Sequence, residues 1–188
     1  MYKFEKSASD LTSFIKHEGS EVVFWGRSNV GKSSLINAIS KAKIAKTSSV
    51  PGRTLLVNYF VNSQNNYLVD LPGYGYAKVN KQMQQKVSKM IDLYFKNALN
   101  IKCVFLLIDS RIGFLNSDFE VIEYLNEMQL PIFIIFTKAD KLNQSQKAKL
   151  KKWSDKYNLS LSLAVSGTNN LNIDALRDIV NNYLYIIN

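Results

Sequence analysis

The sequence predicts a three-layer α/β fold: a mostly parallel sheet of six strands, one of them antiparallel, with helices on both faces. Short β-branched and aromatic runs alternate with segments of helical periodicity along the 188 residues, as expected for βα units. The runs 105–108 and 132–136 are wholly apolar, which indicates strands buried on both faces. Polar residues at 62–66 separate two other runs and suit the tight turn of a hairpin.

The alternation assigns each predicted element in turn. Strands are expected at 21–25, 55–61, 65–70, 103–109, 131–136 and 159–165. Helices are expected at 30–40, 81–98, 117–128, 145–157 and 171–186. The stretches poorest in periodicity, about 42–54 and 71–80, are predicted to be loops beside functional motifs.

Length and composition favour one domain over residues 1–188, because the chain is too short for two well-packed cores. No long uninterrupted apolar run and no secretory leader is evident, so we expect a cytoplasmic monomer with no membrane partner. Cys103 lies in an apolar strand and is predicted to be a buried thiol. His17 has no second histidine or cysteine near it, so we expect a surface residue without a metal or catalytic role.

The formal net charge is +9, which predicts a surface field that attracts polyanions. RNA and ribosomes are the most abundant large polyanions of the cytoplasm. The same lysines also serve simply as solubilising residues, and composition alone leaves both interpretations open.

A glycine-rich motif between the first predicted strand and helix matches the phosphate-binding loop GxxxxGKS. Its backbone N–H groups and the helix N-terminus favour negative charge. Lys32 is expected to reach the β and γ phosphates, Ser33 to ligate Mg²⁺ and Ser34 to bond the α phosphate. The predicted nucleotide-binding residues of this loop are Gly26, Arg27, Ser28, Asn29, Val30, Gly31, Lys32, Ser33 and Ser34. This loop alone is compatible with ATPases, kinases and GTPases.

A second motif, Thr137, Lys138, Ala139 and Asp140, indicates guanine as the base. A carboxylate at position 140 can accept hydrogen bonds from guanine N1–H and the 2-amino group, whereas adenine offers neither donor. The alternative is a helix start with an aspartate N-cap. Val165, Ser166 and Gly167 follow the last predicted strand, where backbone amides could meet guanine O6.

Two further motifs lie in the irregular stretches and predict the switch segments of a GTPase. Asp70, Leu71, Pro72 and Gly73 follow a strand, so Asp70 can hold Mg²⁺ through water and the Gly73 N–H can sense the γ phosphate. An ordinary turn is the alternative. In the segment Pro51, Gly52, Arg53 and Thr54, the Thr54 hydroxyl is the candidate Mg²⁺ ligand. Lys32, Thr54 and Gly73 are therefore the predicted catalytic residues, and Ser33, Thr54 and Asp70 the predicted metal ligands.

Taken together, the segments GRSNVGKSS, TSSVPGRT, DLPGYGYA and TKADKL resemble the EngB (YihA/YsxC) family of bacterial ribosome-biogenesis GTPases, within the TRAFAC class. The resemblance implies a Ras-like P-loop GTPase domain that binds GTP or GDP and acts in assembly of the large ribosomal subunit. Family members usually carry a second serine after position 166 and a glycine at position 172. Asn172 tolerates the left-handed backbone that a glycine would supply.

The resemblance also bears on hydrolysis. Tyr74 occupies the place of the glutamine that positions water in Ras-type enzymes, which implies slow turnover until a partner or a cation assists. In related GTPases an asparagine at the position of Asn29 helps to hold K⁺. Arg53 is expected to stabilise the switch loop or to meet rRNA rather than to act as an arginine finger.

Partner binding is predicted from two basic surfaces. The denser one comprises Lys141, Lys147, Lys149, Lys151, Lys152 and Lys156, with Trp153 among them. The other comprises Lys78, Lys81, Lys86 and Lys89. Each could contact rRNA or be a solvated helix face, with Trp153 turned into the core.

Three functions stay open: a ribosome-assembly GTPase, a GTP-dependent protein switch in cell division (septation), and, least favoured, a P-loop small-molecule kinase.

Overall fold

A computed structural model of the chain describes residues 1–46, 56–75, 80–157 and 161–185, including their side chains other than those of Lys151 and Ser154. Its strands are β1 (Lys3–Ala8), β2 (Glu21–Gly26), β3 (Val57–Val61), β4 (Tyr67–Asp70), β5 (Ile101–Asp109), β6 (Ile132–Thr137) and β7 (Ser162–Ala164). Its helices are α1 (Lys32–Ser40), α2 (Lys81–Asn97), α3 (Asn116–Glu127), α4 (Gln144–Lys156) and α5 (Ile173–Tyr185). A 3₁₀ turn covers Ala139–Lys141.

The strands form one sheet in the order β1-β3-β4-β2-β5-β6-β7. Only β3 runs against its neighbours, pairing antiparallel with both β1 and β4, while the other pairs are parallel. The predicted fold class is confirmed, but the described residues form seven strands rather than six. The added strand, β1, is exposed over its first four residues and has no continuous apolar run. Pairing with β3 holds it in place, which sequence periodicity does not reveal.

Each face of the sheet carries its own hydrophobic core. The side chains of α2 and α3 pack on one face, joined by Leu150 and Trp153 of α4. Those of α1 and α5 pack on the other. Trp153 stacks on Phe136 at a ring-centroid distance of 6.3 Å, as the solvated-helix interpretation of α4 requires. Among the described residues, no helix is long and apolar enough to cross a bilayer.

The lone histidine is not the surface residue that the sequence suggested. The side chain of His17 is 10% exposed and its Nε2 lies 2.6 Å from the carboxylate of Glu21, which is itself buried. Its ring stacks on Tyr67 at 3.9 Å. Tyr94 donates a second hydrogen bond of 2.8 Å to the same carboxylate. The buried thiol predicted at Cys103 is confirmed, and burial raises its pKa to about 12.

The parallel strands bring their carboxyl ends to a single edge of the sheet. The segments 26–31, 71–75, 110–115, 138–143 and 165–172 all begin at this edge. In open α/β sheets ligands bind in the crevice outside these strand ends. Four of these five segments, all except 110–115, carry the sequence motifs. The topology therefore places those motifs around one crevice.

Candidate nucleotide-binding site

The phosphate loop connects β2 to α1 through backbone conformations that favour glycine and asparagine. Gly31 has φ 103° and Asn29 has φ 62°, both in the left-handed region. At Gly26, a Cβ would lie 2.8 Å from the carbonyl oxygen of Leu107, so no larger side chain fits there. Helix α1 has no side-chain N-cap and no acidic residue in its first turn. The N–H groups of its first turn and its dipole therefore suit a phosphate.

Lys32 forms an ion pair with Asp70, whose side chain is 3% exposed at the end of β4. This contact joins the lysine predicted to bind phosphate to the carboxylate predicted to lie beside the metal. Ser33 is the next residue of α1 and contributes a hydroxyl. A hydroxyl and a carboxylate oxygen are ligands that Mg²⁺ prefers, and a bound Mg²⁺ would supply positive charge to the phosphates. The residues present therefore fit a magnesium nucleotide.

Thr137 and Lys138 connect the base-recognition segment to the phosphate loop. The buried Thr137 hydroxyl donates a 2.7 Å hydrogen bond to the carbonyl oxygen of Val30. Lys138 has φ 58°, and its Nζ donates to the carbonyl oxygen of Asn29 at 2.7 Å. These bonds satisfy two carbonyls of the loop without using any of its N–H groups.

Asp140 and Ser166 lie together at the far end of the crevice. The Ser166 hydroxyl lowers the pKa of Asp140, so this carboxylate is charged and acts as an acceptor at neutral pH. The two residues line a cavity of about 180 Å³ with Gly31, Thr137, Lys138 and Gly167. This volume is smaller than the roughly 300–1,000 Å³ of pockets for whole drug-sized ligands. It suits one part of a nucleotide, such as the base.

The three residues after the last strand form one wall of this cavity. Val165 accepts a 3.0 Å hydrogen bond from the Ala139 amide. At Gly167, a Cβ would lie 3.0 Å from the backbone of Ser34, so a glycine allows this close approach. Asn172 adopts φ 56°, as expected for an asparagine that replaces a glycine. The sequence prediction thus placed Val165, Ser166 and Gly167 beside the base-recognition segment, where the structure also has them.

The alternative role of Asp140 as a helix N-cap is excluded, because α4 starts later. Asn143 caps this helix, accepting a 2.9 Å hydrogen bond from the Gln146 amide. Asp140 lies instead within the preceding 3₁₀ turn. Its side chain is left available to a ligand, with a 3.4 Å ion pair to the exposed Lys141.

Sequence motifs did not identify Asp109 and Arg111, which complete the base side of the crevice. Asp109 is buried at the end of β5 and lies 2.9 Å from Nζ of Lys138. Arg111 binds both of its carboxylate oxygens, at 2.9 and 2.7 Å. Burial alone would raise the pKa of Asp109, but hydrogen bonds from Arg111 and Lys138 lower it to about 2. A strand-end aspartate is the only signal in the sequence that could have pointed to this position.

The segment after β4 lies against the phosphate loop and is not an isolated turn. The Leu71 amide donates to the carbonyl oxygen of Phe24 at 3.1 Å, and Trp25 Nε1 donates to that of Pro72 at 2.9 Å. A Cβ on Gly73 would lie 2.9 Å from the amide nitrogen of Ser28. This path extends β4 along β2 and favours the switch interpretation. The other predicted switch residues, Pro51, Gly52, Arg53 and Thr54, lie outside the described residues, as does Lys78.

Comparison with known proteins agrees with this geometry. The family model described as "50S ribosome-binding GTPase" matches residues 21–138. The chain is 53% identical over 163 residues to a probable GTP-binding protein EngB of Metamycoplasma arthritidis, covering 85% of this chain and 89% of that protein. It is 48% identical over 185 residues to the EngB protein of Mycoplasmopsis synoviae, covering 96% and 98% of the two chains.

Solved structures show the same fold. A crystal structure of a probable GTP-binding protein engB superposes with a TM-score of 0.71 at 24% identity, covering 88% of this chain and 98% of that one. Era in complex with MgGDPNP and a segment of 16S ribosomal RNA superposes with a TM-score of 0.70 at 19% identity, covering 92% and 59%. The matched family model, the similar sequences and the crevice itself agree. The chain therefore belongs to the EngB family of GTP-binding proteins and is a P-loop GTPase.

Proposed function

We propose that this chain is a single-domain, magnesium-dependent GTPase of the cytoplasm that binds the large ribosomal subunit, or its rRNA, in one nucleotide state and assists its assembly. It acts as a monomer and without a membrane partner. The observation that carries the proposal is a row of exposed lysines on α4, next to the guanine-recognition turn. The description of the matched family model as a 50S ribosome-binding GTPase supports it, and Era, which shares the fold, is seen in complex with 16S ribosomal RNA.

The nucleotide roles form part of the same proposal. Lys32 and the Gly73 N–H stabilise the γ phosphate, and Asp140 recognises guanine. Ser33 and Asp70 hold Mg²⁺, together with Thr54 of the first switch segment, residues 51–54. Arg27 to Val30, Gly31 and Ser34 surround the phosphates.

The lysine row has the spacing of a binding face. Lys149, Lys152 and Lys156 are exposed and follow one another at intervals of three and four residues, so they share one side of α4. The adjacent side carries Leu150 and Trp153, which pack on the core. Lysines held at fixed spacing on a rigid helix suit the phosphates of folded RNA, and their contacts release counterions on binding.

The test is cosedimentation of the purified protein with large ribosomal subunits, loaded with GDP or with a non-hydrolysable GTP analogue, over a range of salt concentrations. We expect stronger binding with the analogue. The triple variant Lys149→Glu, Lys152→Glu, Lys156→Glu should weaken binding and reduce the slope of log K against log salt by about 2 to 3. The variant Lys3→Glu, Lys6→Glu reverses two exposed charges on β1, at the opposite edge of the sheet, and should bind normally. Equal binding by the triple variant and the unmodified protein would contradict the assignment of this face.

Slow, cation-assisted turnover is a second part of the proposal. The intrinsic rate should be about 10⁻⁴ to 10⁻³ per second, as in unassisted GTPases. The side-chain amide of Asn29 is exposed and has no hydrogen-bond partner among the described residues, so it is free to help hold K⁺. Turnover should therefore be faster in potassium than in sodium buffer, and Asn29→Ala should abolish the difference. Identical rates of the unmodified protein in both buffers would contradict the cation role.

A GTP-dependent switch for a protein partner in cell division is the second candidate. It is favoured by a cavity of about 880 Å³ between α2 and α3. Gly73, Tyr74 and Gly75 line this cavity and belong to the second switch, the segment that follows β4. Val87, Ile91 and other apolar side chains contribute to its lining. Absence of nucleotide-dependent binding to ribosomal subunits, in the experiment above, would favour this candidate over the first.

A further inference from the structure

A buried carboxylate on α3, Asp118, connects the phosphate loop to the second switch. Its side chain is fully buried, and its Oδ2 accepts a 2.7 Å hydrogen bond from the Leu115 amide at the start of the helix. Its Oδ1 accepts a 2.8 Å hydrogen bond from the Tyr74 hydroxyl and lies 3.3 Å from Nε of Arg27. A buried charge is stable only with such partners, and Asp118 has a cation, a hydroxyl and an amide.

Asp118 holds the side chain of Tyr74, and the phosphate loop holds its backbone. Its amide donates to the carbonyl oxygen of Gly26 at 3.2 Å, and its carbonyl oxygen accepts from the Ser28 amide at 3.0 Å. Its ring packs edge-on against Trp25 at a centroid distance of 5.5 Å. Burial, together with the charge of Asp118, raises the pKa of Tyr74, so the phenol stays protonated and donates a hydrogen bond to the carboxylate. A hydroxyl whose hydrogen is committed in this way cannot donate a hydrogen bond to a water molecule.

The residue before Tyr74 is Gly73, which is buried against the phosphate loop. The Gly73 amide has no hydrogen-bond partner among the described residues. Buried amides are nearly always paired, so an unpaired one beside a phosphate loop is a donor that a ligand can use. Its position is fixed by the Tyr74 bonds that follow it.

We infer that Asp118 is a positioning residue for nucleotide recognition: by anchoring the hydroxyl of Tyr74, it holds the Gly73 N–H where a γ phosphate can accept its hydrogen bond. Tyr74 is then an anchor of the second switch and not a catalytic substitute for glutamine. Arg27 completes the anchor from the phosphate loop, because its guanidinium binds both Asp118 and, at 2.8 Å, the carbonyl oxygen of Gly113. The inference rests on the GTPase part of the proposed function and is independent of ribosome binding.

The experiment compares Tyr74→Phe with the unmodified protein. Affinities for GDP and for a non-hydrolysable GTP analogue are measured with Mg²⁺ by calorimetry. Loss of the single hydroxyl should lower the affinity for the analogue relative to GDP by about threefold to tenfold, the usual effect of one hydrogen bond, and leave GDP affinity unchanged. In hydrogen exchange, the analogue should protect the Gly73 amide in the unmodified protein and protect it less in the variant.

Tyr124→Phe is the matched control. Tyr124 lines the same α2–α3 cavity and its hydroxyl donates to Asp92 at 3.3 Å, without contact to the phosphate loop. It should keep the ratio of the two affinities. An unchanged ratio in Tyr74→Phe, an equal shift in Tyr124→Phe, or an equal loss of GDP affinity in Tyr74→Phe would each overturn the inference.

Asp118→Asn provides a second test. An amide has one acceptor oxygen, so it cannot serve both the Leu115 amide and the Tyr74 hydroxyl as the carboxylate does. In this background, Tyr74→Phe should produce no further shift in the ratio of affinities, since the two residues act as a unit. Additive shifts would overturn the inference. If Asp118→Asn fails to fold, the comparison of Tyr74→Phe with Tyr124→Phe decides the matter.

Discussion

The two sides of the phosphate loop are held in different ways. On the base side, the hydroxyl of Thr137 and the ammonium of Lys138 bind loop carbonyls directly, and Asp109 fixes Lys138. On the switch side, Tyr74 makes two backbone hydrogen bonds to the loop, and Gly73 packs against Ser28. Two side-chain hydrogen bonds support them, from the Tyr74 hydroxyl to Asp118 and from Trp25 Nε1 to the carbonyl oxygen of Pro72.

This difference corresponds to different tasks. Guanine is present in both GTP and GDP, so the base side gains from contacts that persist in both states. The γ phosphate is present in only one, so the switch side needs contacts that it can form and release at small cost. Side-chain bonds to a fixed loop suit the first task, and a segment held largely through its backbone suits the second.

The largest effect is expected on the base side, from Asp140→Asn. Guanine would lose two hydrogen bonds to a charged acceptor, so GTP and GDP affinities should both fall by about 10² to 10⁴. Xanthine nucleotides should gain, because xanthine carries a carbonyl where guanine has its amino group. Competition with fluorescent nucleotides measures both effects. The variant Asp174→Asn, whose side chain is 89% exposed, is the control and should bind normally. Equal loss for adenine and guanine nucleotides in Asp140→Asn would show that the base side does not read the base.

A pair of glycine variants separates the two sides. In Gly73→Ala, the new Cβ would meet the Ser28 backbone at 2.9 Å and displace the switch segment. Overpacking of this kind costs about 1–3 kcal/mol, so binding of the GTP analogue should weaken by about tenfold to hundredfold with little change for GDP.

In Gly167→Ala, the Cβ would meet the Ser34 backbone at 3.0 Å, behind the base cavity. GDP and the analogue should therefore weaken together. Calorimetric titration of both variants with both nucleotides is the measurement. If the two variants changed the ratio of affinities equally, the proposed division between base side and switch side would be wrong.

The smallest effect is expected from Asp109→Asn and concerns stability. The pKa of Asp109 is lowered to about 2, so its stabilising contribution is present above the ordinary carboxyl pKa and is lost as pH falls through about 2. At neutral pH the variant should lose about 1–2 kcal/mol of unfolding free energy, and the difference should shrink as pH falls from about 4 to about 2.

Urea unfolding at several pH values measures this contribution. Asp92→Asn is the control, because Asp92 and Lys96 form an exposed pair and such pairs contribute about 0–1 kcal/mol. A difference between Asp109→Asn and the unmodified protein that does not change with pH would contradict the role of the charge.

Much of the fold and of the crevice could be predicted from local sequence. The order of strands and helices follows from periodicity, since apolar runs such as 105–108 must be buried on both faces. Gly26, Lys32 and Asp140 were found because their chemistry depends on residue type and spacing within a short segment. Asn172 was expected to tolerate a left-handed backbone, and it adopts one, with φ 56°.

Other features depend on partners far away in the chain and have no local signature. β1 exists because β3 pairs with it, although four of its six residues are exposed. The side chain of His17 is only 10% exposed because Tyr67 stacks on it and Glu21 binds it, whereas its immediate sequence neighbours are polar.

The sequence by itself determined the alternation of strands and helices, the phosphate loop, the guanine motif and the family. Only the tertiary structure decided which carboxylates complete the crevice. Asp109 and Asp118 are two ordinary aspartates among 15 acidic residues. Folding places one 2.9 Å from Lys138 and the other 2.8 Å from the hydroxyl of Tyr74. The physical reason is that a motif records residues that are neighbours along the chain, while the pairing of a buried charge is settled by residues that only folding brings together.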